Sequence, residues 1–247
     1  MEINHWVLIR GLTRSRFHWL GFDSLLKNSL GCRQVTCIEL PGNGYFFDQN
    51  FPLALDDLIN QIKSQVDSAS LPIGIIGLSM GGMIAARWAE IFPNEVQALV
   101  IINSSMAFSP FYHRLSPQFY FKLLLTLVCP SAEIIENTIM NISSNENLKW
   151  KNRIEELIQF QKNHAITFKN FLRQIKVTRQ ARIIKKPIEK VLILTSQKDR
   201  LVNYRCSLKL AELWKTPLKV HPSAGHDLPL DDSQWVIEQI KNFLRPS

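Results

Sequence analysis

The sequence predicts an α/β fold: a mostly parallel sheet of about six strands, helices on both faces, and a helical segment inserted after the fourth strand. Three observations carry this expectation. Short apolar runs alternate with amphipathic stretches at the pitch of βαβ units. The alternation stops at Met106 and resumes only at Lys190. The 247 residues suffice for one full α/β core with an insertion, and equally for two domains.

The elements follow in order. His5 to Ile9 is an apolar strand, broken by the glycine loop Arg10 to Ser15. Trp19 to Leu30 has helical spacing through Leu20, Leu25 and Leu26 and closes at Gly31. Val35 to Leu40 is a second strand, and Pro41-Gly42-Asn43-Gly44 after it is a turn. Leu55, Leu58, Ile59, Ile62 and Val66 mark one helix face. Ile73 to Phe92 reads as strand, turn and helix, and Val96 to Ile102 is a fourth strand. Four helices are expected next: Gln118 to Val128, Ala132 to Ile142, Glu146 to His164 and Thr167 to Ile184. In the last, Phe168, Phe171, Leu172 and Ile175 form an apolar stripe beside a basic face. Strand Lys190 to Thr195, helix Tyr204 to Trp214, strand Leu218 to His221 and helix Asp232 to Leu244 complete the chain. The predicted core is therefore residues 1–107 and 188–247, with a helical cap at 108–187.

Composition narrows the function. No run approaches the roughly 20 apolar residues of a membrane span, and Met1 to His5 lack the basic and apolar regions of a secretory signal, which predicts a cytoplasmic protein. Cys32, Cys37, Cys129 and Cys206 lack C-x-x-C spacing, so reduced thiols are expected and a zinc site is not. No cofactor is implied. The net charge of +8 is unevenly spread: Pro110 to Lys190 holds 14 Lys and Arg against 6 Asp and Glu, and the remainder 15 against 15. A neutral body with a basic attachment points to an acidic partner. Nucleic acid is disfavoured, because basic and aromatic residues do not interleave in a binding motif.

The chemistry centres on Gly77-Leu78-Ser79-Met80-Gly81, a G-x-S-x-G between an apolar strand and a small-residue helix. So sharp a reversal strains the serine backbone and leaves no room for side chains two residues either side. A serine hydroxyl needs a histidine to take its proton and a carboxylate to orient that histidine. In a parallel sheet both must come from loops beyond strand C-termini. Two loops qualify, Ser196 to Val202 with Asp199 and Pro222 to Pro229 with His226. Asn103, ending the fourth strand, is an amide and cannot be the acid. Asp227, beside His226, is expected to point elsewhere.

These three motifs, in the order Ser, Asp, His, resemble the α/β-hydrolase superfamily from His5 to Leu244. The resemblance implies the α/β-hydrolase fold, with Ser79 as nucleophile, Asp199 as orienting acid and His226 as general base. It implies an oxyanion hole of the Met80 and Leu12 backbone N–H groups. Where most relatives read His-Gly-x, this chain reads Arg10-Gly11-Leu12; Arg10 either braces the loop or faces the substrate. Serine at 79 argues against haloalkane dehalogenases and epoxide hydrolases, which use aspartate there, and leaves hydrolysis through an acyl-enzyme.

The basic four-helix insertion is similar to the cap of esterases that demethylate pimeloyl-acyl-carrier-protein methyl ester in biotin synthesis. An acyl carrier protein is an acidic partner, and Lys149, Arg153, Arg173, Lys176, Arg179 and Arg182 are candidates for its surface. Phe108, Phe111 and Tyr112 are candidates for an acyl channel, or equally for hinge packing. Three classes stay open: a serine carboxylesterase, expected as a monomer; a carbon–carbon hydrolase or lyase of menaquinone-type metabolism; and a binding module with an idle triad.

Overall fold

The computed structural model describes residues 3 to 117, 119 and 131 to 245. Six strands, β1 (His5–Ile9), β2 (Gln34–Cys37), β3 (Ile73–Leu78), β4 (Val96–Ile102), β5 (Val191–Ser196) and β6 (Leu218–His221), form one sheet in the order β2-β1-β3-β4-β5-β6. Every neighbouring pair is parallel. The described helices are α1 (Phe22–Leu30), α2 (Leu55–Ile62), α3 (Met80–Ile91), α4 (Phe111–Arg114), α5 (Ala132–Ser143), α6 (Asn147–Lys151), α7 (Ile154–Asn163), α8 (Phe168–Gln180), α9 (Arg205–Trp214), α10 (Leu228–Asp231) and α11 (Ser233–Leu244).

The central strands are apolar throughout because both their faces are covered. Side chains alternate between the two layers. Val7 and Ile9 of β1, Ile73 and Ile75 of β3, and Leu99 and Ile101 of β4 meet α2, α3 and α9 on one face. Trp6, Leu8, Ile76, Leu78, Val100 and Ile102 meet α1 and α11 on the other. The chain leaves β1 toward β2 and returns to β3 on β1's opposite side, so the strand order reverses between β1 and β3. Ligands of open α/β sheets bind beyond the strand C-termini at such a switch point. Here that point is flanked by the Arg10–Ser15 loop and Ser79.

The insertion between β4 and β5 comprises α4 to α8 among the described residues. On α8 the buried positions Asn170, Phe171, Gln174 and Val177 recur at helical spacing, and two of the four are amides. Thr167 caps this helix by accepting from Asn170 N–H, and Ser131 caps α5 by accepting from Ile134 N–H.

Three expected helices differ. The stretch from Trp19 is interrupted because Leu20 and Gly21 adopt left-handed backbones, at φ 51° and 93°, between a 3-10 turn at Arg16–Trp19 and α1. The single helix expected over Glu146 to His164 is two, α6 and α7, because α6 packs on α10 whereas α7 packs on α5. The helix from Thr167 stops at Gln180, and the Ala181 carbonyl accepts from Ala107 N–H. The helix expected over Gln118 to Val128 lies outside the described residues, apart from Phe119. Cys32, Cys37 and Cys206 are free thiols, and burial pushes that of Cys37 up to about 12. Among the described residues no helix is long and apolar enough to cross a membrane.

Candidate active site

Ser79 stands between β3 and α3 with φ 58° and ψ −120°. A non-glycine residue in that region costs about 1 to 3 kcal/mol. The surroundings hold it: Ser79 N–H donates to the Ile102 carbonyl at 2.9 Å, and its carbonyl accepts from Ser104 Oγ at 2.7 Å and Gly82 N–H at 2.9 Å. The flanking glycines are obligatory. A Cβ on Gly77 would lie 2.3 Å from the Gly81 carbonyl oxygen, and one on Gly81 2.1 Å from that of Ile9.

The loops after β5 and β6 bring Asp199 to His226. Nδ1 of His226 lies 2.7 Å from Oδ2 of Asp199, whose side chain is fully buried. The other carboxylate oxygen accepts from Leu201 and Val202 N–H, at 2.7 and 2.9 Å. A carboxylate only accepts, so in the neutral imidazole Nδ1 carries the proton and Nε2 keeps its lone pair. Ser79 and His226 border the same cavity. No hydrogen bond joins them among the described residues; such contacts are often long before substrate binds.

Two buried residues hold the histidine loop, and sequence reading gave neither a role. Asn103, at φ 45° just beyond β4, donates to the His226 carbonyl at 2.8 Å and accepts from Ser196 N–H at 2.8 Å. Its only signal was its place at a strand end. Asp231 accepts from Gly225 N–H, Ser144 Oγ and Asn145 N–H, which ties the loop to the insertion. Burial raises its carboxyl above the usual range, against those three donors.

The loop after β1 passes directly beside the serine: a Cβ on Gly11 would lie 3.0 Å from that of Ser79. Among the described residues neither Leu12 N–H nor Met80 N–H donates to a protein acceptor. Arg10 braces the loop. Its guanidinium makes two hydrogen bonds to Asp227, at 3.1 and 2.6 Å, and lies 4.8 Å from the Trp19 ring centroid. The Asp227 carboxylate is thus taken up by Arg10 and fastens the first loop to the histidine loop.

The cavity encloses about 420 Å³. Leu12, Leu201 and Val202 wall it from the core, and Ile135, Ile139 and Phe171 from the insertion. Among its described lining residues the two cations are paired, Arg10 with Asp227 and Arg14 with Glu136 at 2.8 Å. Phe108, Phe111 and Tyr112 are not among its described lining residues. Phe108 packs against the main core, while Phe111 and Tyr112 are 75% and 54% exposed on α4. Of the two expectations for these residues, acyl channel or hinge packing, the described lining lacks the first; on the insertion side it comes from Leu115, Phe119, α5 and residues between Gln161 and Phe171.

The basic candidates divide. Lys176, Arg179 and Arg182 are exposed. Arg173 donates to the Phe51 carbonyl, Lys149 to that of Asp231, and Arg153 pairs with Glu156. Among the described residues no cluster of three His, Cys, Asp or Glu side chains is placed to hold a metal ion.

A family model described as the alpha/beta hydrolase family matches residues 6–239. The chain is similar to human monoacylglycerol lipase ABHD6, at 25% identity over 39% of this chain and 29% of that one. It is similar to the biotin biosynthesis bifunctional protein BioHC of Teredinibacter turnerae, at 30% identity over 41% of this chain and 17% of that one. Both matches thus span less than a third of the relative. Among solved structures, 2-hydroxy-6-oxo-6-phenylhexa-2,4-dienoate hydrolase from Rhodococcus sp. strain RHA1 superimposes with a TM-score of 0.78 at 17% identity, covering 99% of this chain and 91% of that one. That likeness supports the fold.

Proposed function

The chain belongs to the alpha/beta hydrolase family, and on that premise we propose that it is a serine carboxylesterase acting through an acyl-enzyme. The reading rests on one observation: a cavity bordered by Ser79 and by a histidine whose Nδ1 is held 2.7 Å from a buried carboxylate. His226 Nε2 takes the Ser79 proton as Oγ attacks the ester carbonyl, and Asp199 stabilises the imidazolium. The tetrahedral oxygen, now negative, accepts from Leu12 and Met80 N–H. Collapse breaks the bond to the alcohol oxygen, which leaves with the proton from His226. Water then repeats the sequence on the acyl-enzyme and releases the acid.

The acyl group is apolar and uncharged in the part that enters the cavity. Among the described lining residues both cations are already neutralised by carboxylates, so a second free carboxylate would find no free cation there. We take a medium straight acyl chain as the substrate class, and the methyl ester of pimeloyl-acyl-carrier protein as the specific substrate. The basic insertion and the partial similarity to a biotin-synthesis protein support that choice. The carrier would dock on the exposed cations Lys176, Arg179 and Arg182.

Hydrolysis of a chain-length series of p-nitrophenyl esters and of the carrier-linked methyl ester tests both levels. Ser79→Ala is expected to lower turnover by about 10⁴ to 10⁶ on every substrate; unchanged turnover overturns the esterase. Reversing the charge of Lys176, Arg179 and Arg182 together is expected to weaken action on the carrier-linked ester alone. Equal loss on the small esters contradicts a carrier surface.

A further inference from the structure

We propose that Gln174, on α8 of the insertion, is a positioning residue for the oxyanion loop, so that the insertion fixes the Leu12 N–H for catalysis. The inference rests on the esterase reading and goes beyond it, in giving the helical segment a part in the chemical step as well as in substrate enclosure. A donor stabilises a tetrahedral oxygen only if it is already aimed where the charge develops. The six-residue loop closes a turn about Leu12 and Thr13, in which Arg14 N–H donates to the Gly11 carbonyl at 3.2 Å, but the central peptide of such a turn can flip unless something outside the loop holds it.

Upstream of Leu12, Arg10 is clamped to Asp227. Downstream, the next residue, Thr13, sits in the left-handed region at φ 61°, which few non-glycine residues adopt unaided. Its N–H donates to Gln174 Oε1 at 2.9 Å. Thr13 N–H belongs to the peptide that follows Leu12, so this bond fixes the plane on the far side of the proposed donor. The loop is then tethered on both sides of Leu12.

Gln174 cannot swing away. It is fully buried, and its Nε2 donates to Asn43 Oδ1 at 2.7 Å. Asn43 in turn donates through Nδ2 to the Arg14 carbonyl at 2.9 Å, closing a circuit from Thr13 through Gln174 and Asn43 to Arg14. The amide orientations are unambiguous: the Thr13 N–H is only a donor and the Arg14 carbonyl only an acceptor, so each amide has one arrangement that satisfies both ends. Arg14 is held a second time, by Glu136 on α5. Packing alone does not require an amide here, since Phe171 and Val177 fill neighbouring buried positions on the same helix.

The test is Gln174→Met, which keeps the volume and deletes both hydrogen bonds, assayed with a p-nitrophenyl ester and an alkyl boronic acid that forms a tetrahedral adduct on Ser79. The expected result is a kcat about 10 to 100-fold lower, less than the roughly 10² to 10³ lost when an oxyanion donor is removed outright because here the donor is misaimed and still present, with KM changed by less than about threefold. Boronic acid affinity falls with kcat. The apparent pKa of kcat/KM is unchanged, because Asn103 and Asp231 hold the histidine loop separately. A variant with wild-type kcat and boronic acid affinity, or one whose loss comes with a shifted pH profile, overturns the proposal. If wild-type protein neither turns over esters nor reacts with a fluorophosphonate at Ser79, the esterase reading fails and this inference falls with it; a reactive wild type with an indifferent Gln174→Met overturns this inference alone.

Discussion

His226 Nδ1 and Asp199 Oδ2 lie 2.7 Å apart although 27 positions separate them in the chain. The contact exists because β5 and β6 are parallel neighbours, which puts the loops after both strands at the same edge of the sheet. Asp199→Asn leaves the shape intact but presents a donor amide as readily as an acceptor, so the imidazole loses its fixed tautomer. Ester turnover is expected to fall by about 10³ to 10⁴ with an unchanged melting temperature. Steady-state kinetics beside a thermal scan checks this.

The Arg10–Asp227 pair is almost fully buried, at 3% and 6% side-chain exposure. Removing one member strands the other charge, so Asp227→Ala is expected to destabilise the fold by about 3 to 5 kcal/mol. Arg10→Met combined with Asp227→Ala is expected to be the milder change. Urea unfolding of the single and double variants measures the difference.

Glu39 is buried beside the backbone N–H groups of Arg16 and Tyr45, and burial raises its carboxyl from the usual 4.5 to about 7. A raised acid binds its proton more tightly folded than unfolded. Its contribution is therefore greatest below about pH 4.5 and is lost as pH rises through 7. Glu39→Gln removes this dependence, so wild type is expected to lose about 1 to 3 kcal/mol relative to the variant between pH 5 and 8. Unfolding at both pH values gives the sign.

Ile139 on α5 borders the cavity. Ile139→Trp fills part of the 420 Å³ and is expected to shift the preferred acyl chain shorter by two or more carbons. A p-nitrophenyl ester series reads this directly.

Much of the fold was legible because a six-stranded parallel core has few solutions. β3 and β4 fall where their apolar runs do, and β6, Leu-Lys-Val-His, falls between Pro217 and Pro222. The Ser79, Asp199 and His226 loops were legible for the same reason: each follows a strand end. What the sequence concealed is side-chain traffic between distant segments. Arg10 looked like a departure from a pattern, and its role became visible only when Asp227, 217 residues on, came within reach. Asn103 looked like a failed acid, and nothing in the sequence sets Gln174 apart from the other polar residues of its helix. The break between α6 and α7 leaves no local mark, because it arises from two docking surfaces rather than from a proline or glycine.

The central claim is that Ser79 is an activated nucleophile, and covalent labelling tests it most directly. Native protein treated with a fluorophosphonate at pH 7.5 and digested is expected to carry one adduct, on the peptide containing Ser79, with labelling abolished in Ser79→Ala and strongly slowed in His226→Ala. An unlabelled Ser79 in folded wild-type protein, or labelling that is indifferent to His226, would contradict it.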